Sequence, residues 1–253
     1  MDILYIIGGR GSDCDNFELR CSLRSLEKYG QNIDRVFVAG NPPSWLSNSI
    51  VKVPYTQPFT SNGVIPKNLN ILATVIYVAE HTDIGDEFLV SMDDHFYIKP
   101  TDFNNYPFYV KLHGDGGNDI DLPERNYLKS YRDLLVRTRK ECIAQKLTYH
   151  HFTLHRNMHV SRKVIQENKA FFNEIFKQRR GLEGFAYMNN YRLCKHKDFT
   201  PTPVLDLKIR DAGEWKRVEE RDSEVFSTYN FNKDSDLYKL LLNLYPEKSK
   251  YEK

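Results

Sequence analysis

The chain has 253 residues, of which 40% are hydrophobic and 28% are charged, and its formal net charge is +2. These values predict one globular α/β domain, alone or with a small appendage, and they argue against a disordered chain. No apolar run approaches the roughly 20 residues of a membrane span, and the four cysteines lack zinc-site spacing, so we expect a cytoplasmic protein with free thiols.

The first 100 residues alternate between apolar strands and amphipathic helices. Residues 2–8 are apolar and end in Gly8-Gly9-Arg10-Gly11, which predicts a buried strand followed by a loop that can approach a ligand. Apolar residues then recur at helical spacing up to Gly30, and strands are predicted at residues 35–40 and 50–54. A helix at 67–81 and a strand at 87–92 complete a doubly wound, mostly parallel sheet.

The second half is less regular. The patterns predict helices at residues 128–145, 161–179 and 235–244, and a strand at 151–154. We therefore divide one domain into a ligand-binding half, residues 1–110, and a second half, residues 111–253, that forms a smaller basic region. The Lys-rich residues 247–253 are the one stretch that we expect to be disordered.

Charge is distributed unevenly along the chain. Residues 125–180 hold 14 Lys and Arg against 4 Asp and Glu, whereas residues 1–124 carry a net charge of about −8. Four of the eight histidines also lie in the basic segment. This segregation predicts a polyanionic or phosphorylated partner near the middle of the chain.

Two adjacent aspartates directly follow the strand at 87–92. Like charges so close raise each other's pKa, and a divalent cation relieves that repulsion. Asp94 could ligate Mn²⁺ or Mg²⁺ while Asp93 shares the ion or contacts a ribose hydroxyl. Alternatively, Asp93 and His95 are the ligands, since Mn²⁺ accepts imidazole, or both aspartates merely cap a turn.

Several segments resemble the Stealth family of sugar-phosphate transferases, which act on capsular polysaccharides and related glycans. The resemblance lies in residues 15–29, which are similar to the family's second motif block, in residues 33–46, and in residues 88–96 around Asp93-Asp94. Residues 149–158 weakly resemble a third block centred on His155. The Stealth fold is similar to the GT-A fold of nucleotide-sugar glycosyltransferases, so we expect a GT-A-like α/β fold with its donor site in residues 1–110.

The resemblance also implies roles for single residues. Gly8, Gly9 and Arg10 would contact the nucleotide base, and Asp93 the donor. Arg20 and Arg24, four residues apart on one helix, would approach the diphosphate, since arginine matches phosphate oxygens; they could equally pair with nearby glutamates. Lys67 and Asn68 open a helix whose amino end favours anions.

A third metal ligand or a general base should come from the second half. We choose His155, with His159 and then His113 as alternatives, because four histidines lie within ten consecutive positions of the basic segment. Glu183, between Gly181 and Gly184, is a candidate base or simply part of a turn. The catalytic set is therefore Asp94, His155 and Glu183, and the metal set is Asp93, Asp94, His95 and His155.

The predicted reaction is metal-dependent glycosyl transfer from a nucleoside diphosphate sugar, such as a UDP-sugar, to an acceptor hydroxyl. Met92 stands where the Stealth family usually has asparagine, which favours glycosyl transfer over the alternative, Stealth-like transfer of hexose 1-phosphate. The third alternative is a non-catalytic nucleic-acid-binding module.

The basic segment indicates the acceptor. It would attract DNA phosphates, so we consider a hydroxymethylated base in phage-type DNA, flipped outward to expose its hydroxyl. The predicted DNA-binding residues are Arg137, Arg139, Lys140, Arg156, Arg162, Lys163, Arg179 and Arg180.

Overall fold

The computed structural model describes residues 1–8, 13–60, 63–111, 129–204, 207–229 and 232–253. The strands in this part of the chain are β1 (Asp2–Ile7), β2 (Gly30–Gln31), β3 (Val36–Gly40), β4 (Ile50–Pro54), β5 (Glu87–Ser91), β6 (His95–Tyr97), β7 (Thr101–Asp102), β8 (Tyr109–Lys111), β9 (Met158–Ser161), β10 (Thr202–Val204), β11 (Lys208–Ile209) and β12 (Val225–Thr228).

Eight α-helices lie in the same described ranges. They are α1 (Asp13–Tyr29), α2 (Val64–His81), α3 (Lys129–Ala144), α4 (Arg162–Glu167), α5 (Lys169–Lys177), α6 (Gly184–Lys195), α7 (Trp215–Glu219) and α8 (Asp236–Leu244). Short 3-10 helices occupy Phe103–Asn105 and Ala212–Glu214.

A five-stranded sheet organises the molecule, with the strand order β4-β3-β1-β5-β9. The first four strands are parallel, and β9 runs antiparallel to β5. This is the predicted mixed α/β, mostly parallel sheet. Because β9 comes from the second half of the sequence, that half contributes to the same sheet as residues 1–110.

Both faces of the sheet are covered, which explains why β1 is buried along its whole length. Alternate residues of β1 enter different cores: Leu4 and Ile6 pack with Leu72 of α2, whereas Ile3, Tyr5 and Ile7 pack on the α1 side. Burial on two faces requires an unbroken apolar run instead of an alternating one, as residues 3–7 have.

A smaller sheet stands beside the first, in the order β11-β12-β6. It packs with α8 and the start of α1 through a third cluster that includes Phe17, Phe96, Phe226 and Leu241. Since β6 begins four residues after β5 ends, this sheet is joined directly to the carboxyl end of β5.

Three predictions about the second half were wrong in detail. Residues 151–154 are not a strand; the strand lies at β9. The single helix predicted at 161–179 is broken at Asn168, whose buried amide donates to the Val164 carbonyl and whose oxygen accepts from the Tyr187 hydroxyl. Helix α6 was not predicted, because residues 184–190 are all buried and so lack the polar face that reveals a surface helix.

The carboxyl-terminal segment is ordered, contrary to the prediction for residues 247–253. Glu252 is 7% exposed, and its carboxylate accepts from the Arg24 Nε at 2.8 Å and Nη2 at 3.0 Å. A backbone bridge joins Leu46 to Glu252. The lysines of this segment point outward while Tyr251 and Glu252 are buried, so composition alone gave the wrong expectation.

None of the helices in the described part of the chain has the length and apolar content needed to cross a membrane.

The Arg24–Glu252 pair should be a major contributor to stability. Glu252→Ala leaves the part-buried Arg24 guanidinium without its bidentate partner, so we expect the free energy of unfolding to fall by about 3 kcal/mol. Urea denaturation followed by circular dichroism measures this. Glu247→Ala, an exposed acid of the same segment, is the matched control and should change stability by under about 0.5 kcal/mol. Equal effects of the two changes would contradict the assignment.

Candidate active site

The candidate site lies where three parallel strands end. Ser91 at the end of β5 pairs with Tyr5 of β1, and Ile7 of β1 pairs with Gly40 of β3. Ligands of open α/β sheets bind beyond this carboxyl edge. The His95 backbone N–H donates to the Met92 carbonyl at 3.2 Å, so residues 92–95 form a tight turn that carries Asp93 and Asp94 past the edge.

The two aspartates have different electrostatic environments. Burial and the negative charge of Asp94 raise the pKa of Asp93 to about 7, against the opposing charges of Lys67 and Lys208. Burial would also raise the pKa of Asp94, but His95, Lys208 and His155 hold it below its usual value. The Asp94 Oδ2 accepts from the Lys208 Nζ at 3.1 Å. The pair therefore carries negative charge that its surroundings only partly neutralise.

His95 is fully buried behind Asp94. Its Nδ1 accepts from the Met92 backbone N–H at 3.3 Å, which assigns the proton of the neutral ring to Nε2. Burial lowers the pKa of His95 to about 4. Its Nε2 lies 4.0 Å from the Asp94 Oδ1 and has no hydrogen-bond partner among the described residues. In this tautomer His95 faces Asp94 as a donor instead of offering a lone pair to a cation.

His155 belongs to the same neighbourhood as Asp94. Its charge acts on the pKa of both Asp94 and His95, so the fold brings this histidine to the strand end across 60 residues of sequence. His159, the alternative, is a buried residue of β9 whose Nε2 donates to the Tyr106 carbonyl at 3.0 Å. Within the described ranges, no three His, Cys, Asp or Glu side chains are arranged to hold a metal ion.

Lys208 is the site residue that sequence reasoning missed. It opens β11 and reaches Asp94 because β11, β12 and β6 form one sheet. Its Nζ also lies 4.9 Å from the centre of the Tyr229 ring, and the Arg210 guanidinium lies 5.3 Å from that ring. A single lysine between irregular segments carries no sequence signal, so only the sheet pairing reveals it.

The predicted residues Lys67, Asn68 and Glu183 lie at the start of α2 and α6. Lys67 is exposed and lowers the pKa of Asp93. Asn68 and Glu183 line one narrow cleft between α2 and α6 that has no room for a water molecule. The packing of the two helices brings one predicted donor-binding residue and one predicted base together from sequence positions 115 residues apart.

Glu183 also has a structural role. Its buried carboxylate accepts from the Ala186 N–H at 2.7 Å, which caps α6, and burial raises its pKa. The next residue must be small: a Cβ on Gly184 would lie 2.8 Å from the Leu72 Cδ1 of α2. Gly184, one of the two glycines that suggested a turn, is therefore a position of close packing between α6 and α2.

The two α1 arginines have partners inside the protein. Arg20 pairs with Asp15 and Glu252, and Arg24 with Glu252 and the Tyr245 carbonyl. Helix α1 begins near the carboxyl edge of the sheet and runs away from it. Arg24 therefore lies about 16 Å along the helix axis from Asp13, the first residue of α1. The predicted diphosphate contact of Arg24 is thus corrected to a structural ion pair. Gly8 is exposed at the end of β1, while Gly9, Arg10 and His113 lie outside the described residues.

Some of the predicted DNA-binding residues are exposed, whereas others are bound to groups of the protein itself. Arg156 is 3% exposed and pairs with Glu224, so it cannot be part of a DNA surface as folded. Arg162 donates to the Thr82 and Ile84 carbonyls, and Arg139 stacks on Tyr149 at 4.7 Å. The exposed members are Arg137, Lys140, Lys163, Arg179 and Arg180.

Comparison with solved structures places this architecture among known folds. It is similar to the galactosyltransferase LgtC, crystallised in complex with donor and acceptor sugar analogues, with a TM-score of 0.53. The match covers 98% of this chain and 96% of that chain at 13% sequence identity. The chain therefore has a GT-A-like glycosyltransferase fold. No protein-family model and no curated protein matches the sequence, and the Stealth resemblance is not confirmed.

The raised pKa of Asp93 predicts how stability changes with pH. Its folded-state pKa of about 7 exceeds the unfolded value of about 3.9, so ionising Asp93 destabilises the fold progressively as pH rises from about 4 to 7. Asp93→Asn removes this penalty and should stabilise the protein by about 2 kcal/mol at pH 8, after allowance for solvent screening. Near pH 4 the gain should vanish. Urea unfolding of parent and variant at both pH values measures it, and a pH-independent difference would contradict the assignment.

Proposed function

We propose that this protein is a glycosyltransferase that moves a sugar from a nucleoside diphosphate sugar to an acceptor hydroxyl. The observation that carries the proposal is the half-buried Asp93–Asp94 pair at the carboxyl end of β5, bordered by Lys67 and Lys208. The likeness of the whole chain to a galactosyltransferase fold supports the same conclusion. A site with both anionic and cationic groups suits a donor that brings a diphosphate and a cation together.

A divalent cation, Mn²⁺ or Mg²⁺, fits the carboxylates better than it fits His95. The repulsion that raises the pKa of Asp93 is what a dication relieves, and carboxylate oxygens are its preferred ligands. Asp93 and Asp94 would hold it. When bound, the cation would neutralise charge on the diphosphate. It would compete with Lys208 for the Asp94 carboxylate.

The lysines then acquire a direct role in the reaction. Departure of the nucleoside diphosphate concentrates negative charge on its phosphate oxygens, and preorganised cations stabilise that charge. Lys208, released from Asp94, and Lys67 at the start of α2 would bind those oxygens. Both side chains belong to elements packed into the fold, so their backbones need not move.

A proton acceptor for the attacking hydroxyl is the remaining requirement. His155 stands beside Asp94, and Glu183 lines the cleft with Asn68. Glu183 has a raised pKa because it is buried, which makes its carboxylate a stronger base, although it is already engaged in capping α6. We therefore assign the base to His155.

The role of Asp94 can be tested by donor hydrolysis. With UDP-sugars and Mn²⁺, the parent should release UDP slowly without acceptor, and Asp94→Asn should reduce that rate at least about 100-fold because it removes charge from the cation site. Chromatography of the nucleotide products measures the rate. UMP as the product would instead identify transfer of hexose 1-phosphate.

Asp222→Asn is the matched control, since this exposed carboxylate pairs only with the surface residue Lys99 in the described structure. Hydrolysis by Asp94→Asn at the control's rate, with unchanged Mn²⁺ affinity, would reject the proposal.

DNA with a hydroxymethylated base is our candidate acceptor, and the exposed basic residues favour it. Arg179→Ala combined with Arg180→Ala should weaken duplex binding about tenfold at low salt and reduce its salt dependence, as measured by fluorescence anisotropy. Lys195 is exposed on α6, and Lys195→Ala is the control for loss of a single surface charge elsewhere. Binding that is unaffected by the double variant would remove these residues from the acceptor site.

A further inference from the structure

A second concave surface lies on the outer side of α2, away from the aspartates. This α2 groove is lined mainly by Tyr55, Phe59, Ile76, Tyr77, His81 and Phe176. Its volume is about 330 Å³, which is at the lower end of the size of clefts that bind small molecules.

Aromatic rings dominate the groove. The Tyr77 ring stacks on Tyr55 with centroids 4.4 Å apart and on His81 at the same distance. Phe59 faces Phe176 across the groove at 6.1 Å. Such rings combine an apolar body with polar edges, since tyrosine and histidine also form hydrogen bonds. That combination suits a pyranose, which has apolar C–H faces and a rim of hydroxyl groups.

The polar groups of the groove can serve hydroxyls. His81 Nδ1 donates to the Tyr77 carbonyl at 3.0 Å, so the neutral ring keeps an acceptor lone pair on Nε2, and His81 is exposed. The Tyr55 and Tyr77 hydroxyls can donate or accept.

The charge of the groove argues for a neutral ligand. Its one acidic residue, Glu80, pairs with the Lys169 Nζ at 2.8 Å. With that charge balanced, the described residues that line the groove include no cluster of cations for phosphate or nucleic acid, in contrast to the surface at Arg179 and Arg180. A neutral oligosaccharide matches both the rings and this charge balance.

The groove is separate from the candidate active site. Along α2, Tyr77 lies about 15 Å and His81 about 21 Å from Lys67, at 1.5 Å of rise per residue. We propose that the α2 groove is a second, non-catalytic binding site for a neutral oligosaccharide chain. The choice of a sugar rests in part on the proposed glycosyltransferase function. Where the acceptor is a glycan instead of DNA, a chain held there raises its effective concentration near the aspartates.

Binding can be tested directly on the full chain with three probes: maltohexaose, cellohexaose and chitohexaose. We expect at least one to shift the His81 imidazole signals in an NMR titration, assigned with His81→Gln. Isothermal titration calorimetry, which does not depend on the His81 signals, then measures the affinity of the variants. Tyr77→Ala and His81→Ala should each bind that hexaose about fivefold more weakly, because each removes one stacked ring. If Tyr77→Ala does not fold because Tyr77 is half-buried, His81→Ala still tests the proposal.

Ile143→Ala, on α3 and 51% exposed in the parent, is the control and should bind the hexaose as the parent does. The proposal is overturned if no hexaose shifts the His81 signals, or if the groove variants bind as tightly as the control. Concentration-dependent broadening of those signals without sugar would also overturn it, since it would identify a contact between copies of the chain. UDP-sugar hydrolysis is measured in parallel. Hexaose binding without hydrolysis would reject the proposed glycosyltransferase function but support the proposed binding site in the α2 groove.

Discussion

Repulsion between Asp93 and Asp94 is the constraint on which the interpretation of this protein depends. A fold that needed only a turn after β5 would not place two carboxylates side by side in a half-buried position, where the pKa of one rises to about 7. Proteins retain such unfavourable charge where it acts on a ligand. The surrounding residues moderate this repulsion without removing it.

The small second sheet positions the residues that partly offset the repulsion between the two aspartates. It holds β6 against β12 and β12 against β11, which brings Lys208 to Asp94 from 114 positions along the sequence. The same arrangement buries His95 behind the turn. Asp94 is thus held between the ammonium group of a long, flexible lysine and a buried imidazole, and only the ammonium can be replaced by another cation at small cost.

Close packing between α2 and α6 positions the predicted base Glu183. Gly184 lets α6 approach α2 at Leu72, and this contact puts Glu183 in the cleft with Asn68. The carboxylate of Glu183 caps the helix that it begins. Helix α2 therefore connects both proposed ligand sites: its first turn borders the aspartates, and its last turns form the floor of the aromatic groove.

Local patterns determined the first half of this protein. Unbroken apolar runs predicted β1, β3 and β5, and their parallel alternation with α1 and α2 predicted the carboxyl edge where Asp93 and Asp94 lie, since these signals come from neighbouring residues. Only the tertiary structure decided the rest. Lys208 reaches the site through strand pairing, α6 is hidden because it is buried on every side, and Arg24 and Arg156 are engaged by Glu252 and Glu224. Each of these depends on contacts between distant residues, which periodicity and charge counts do not contain.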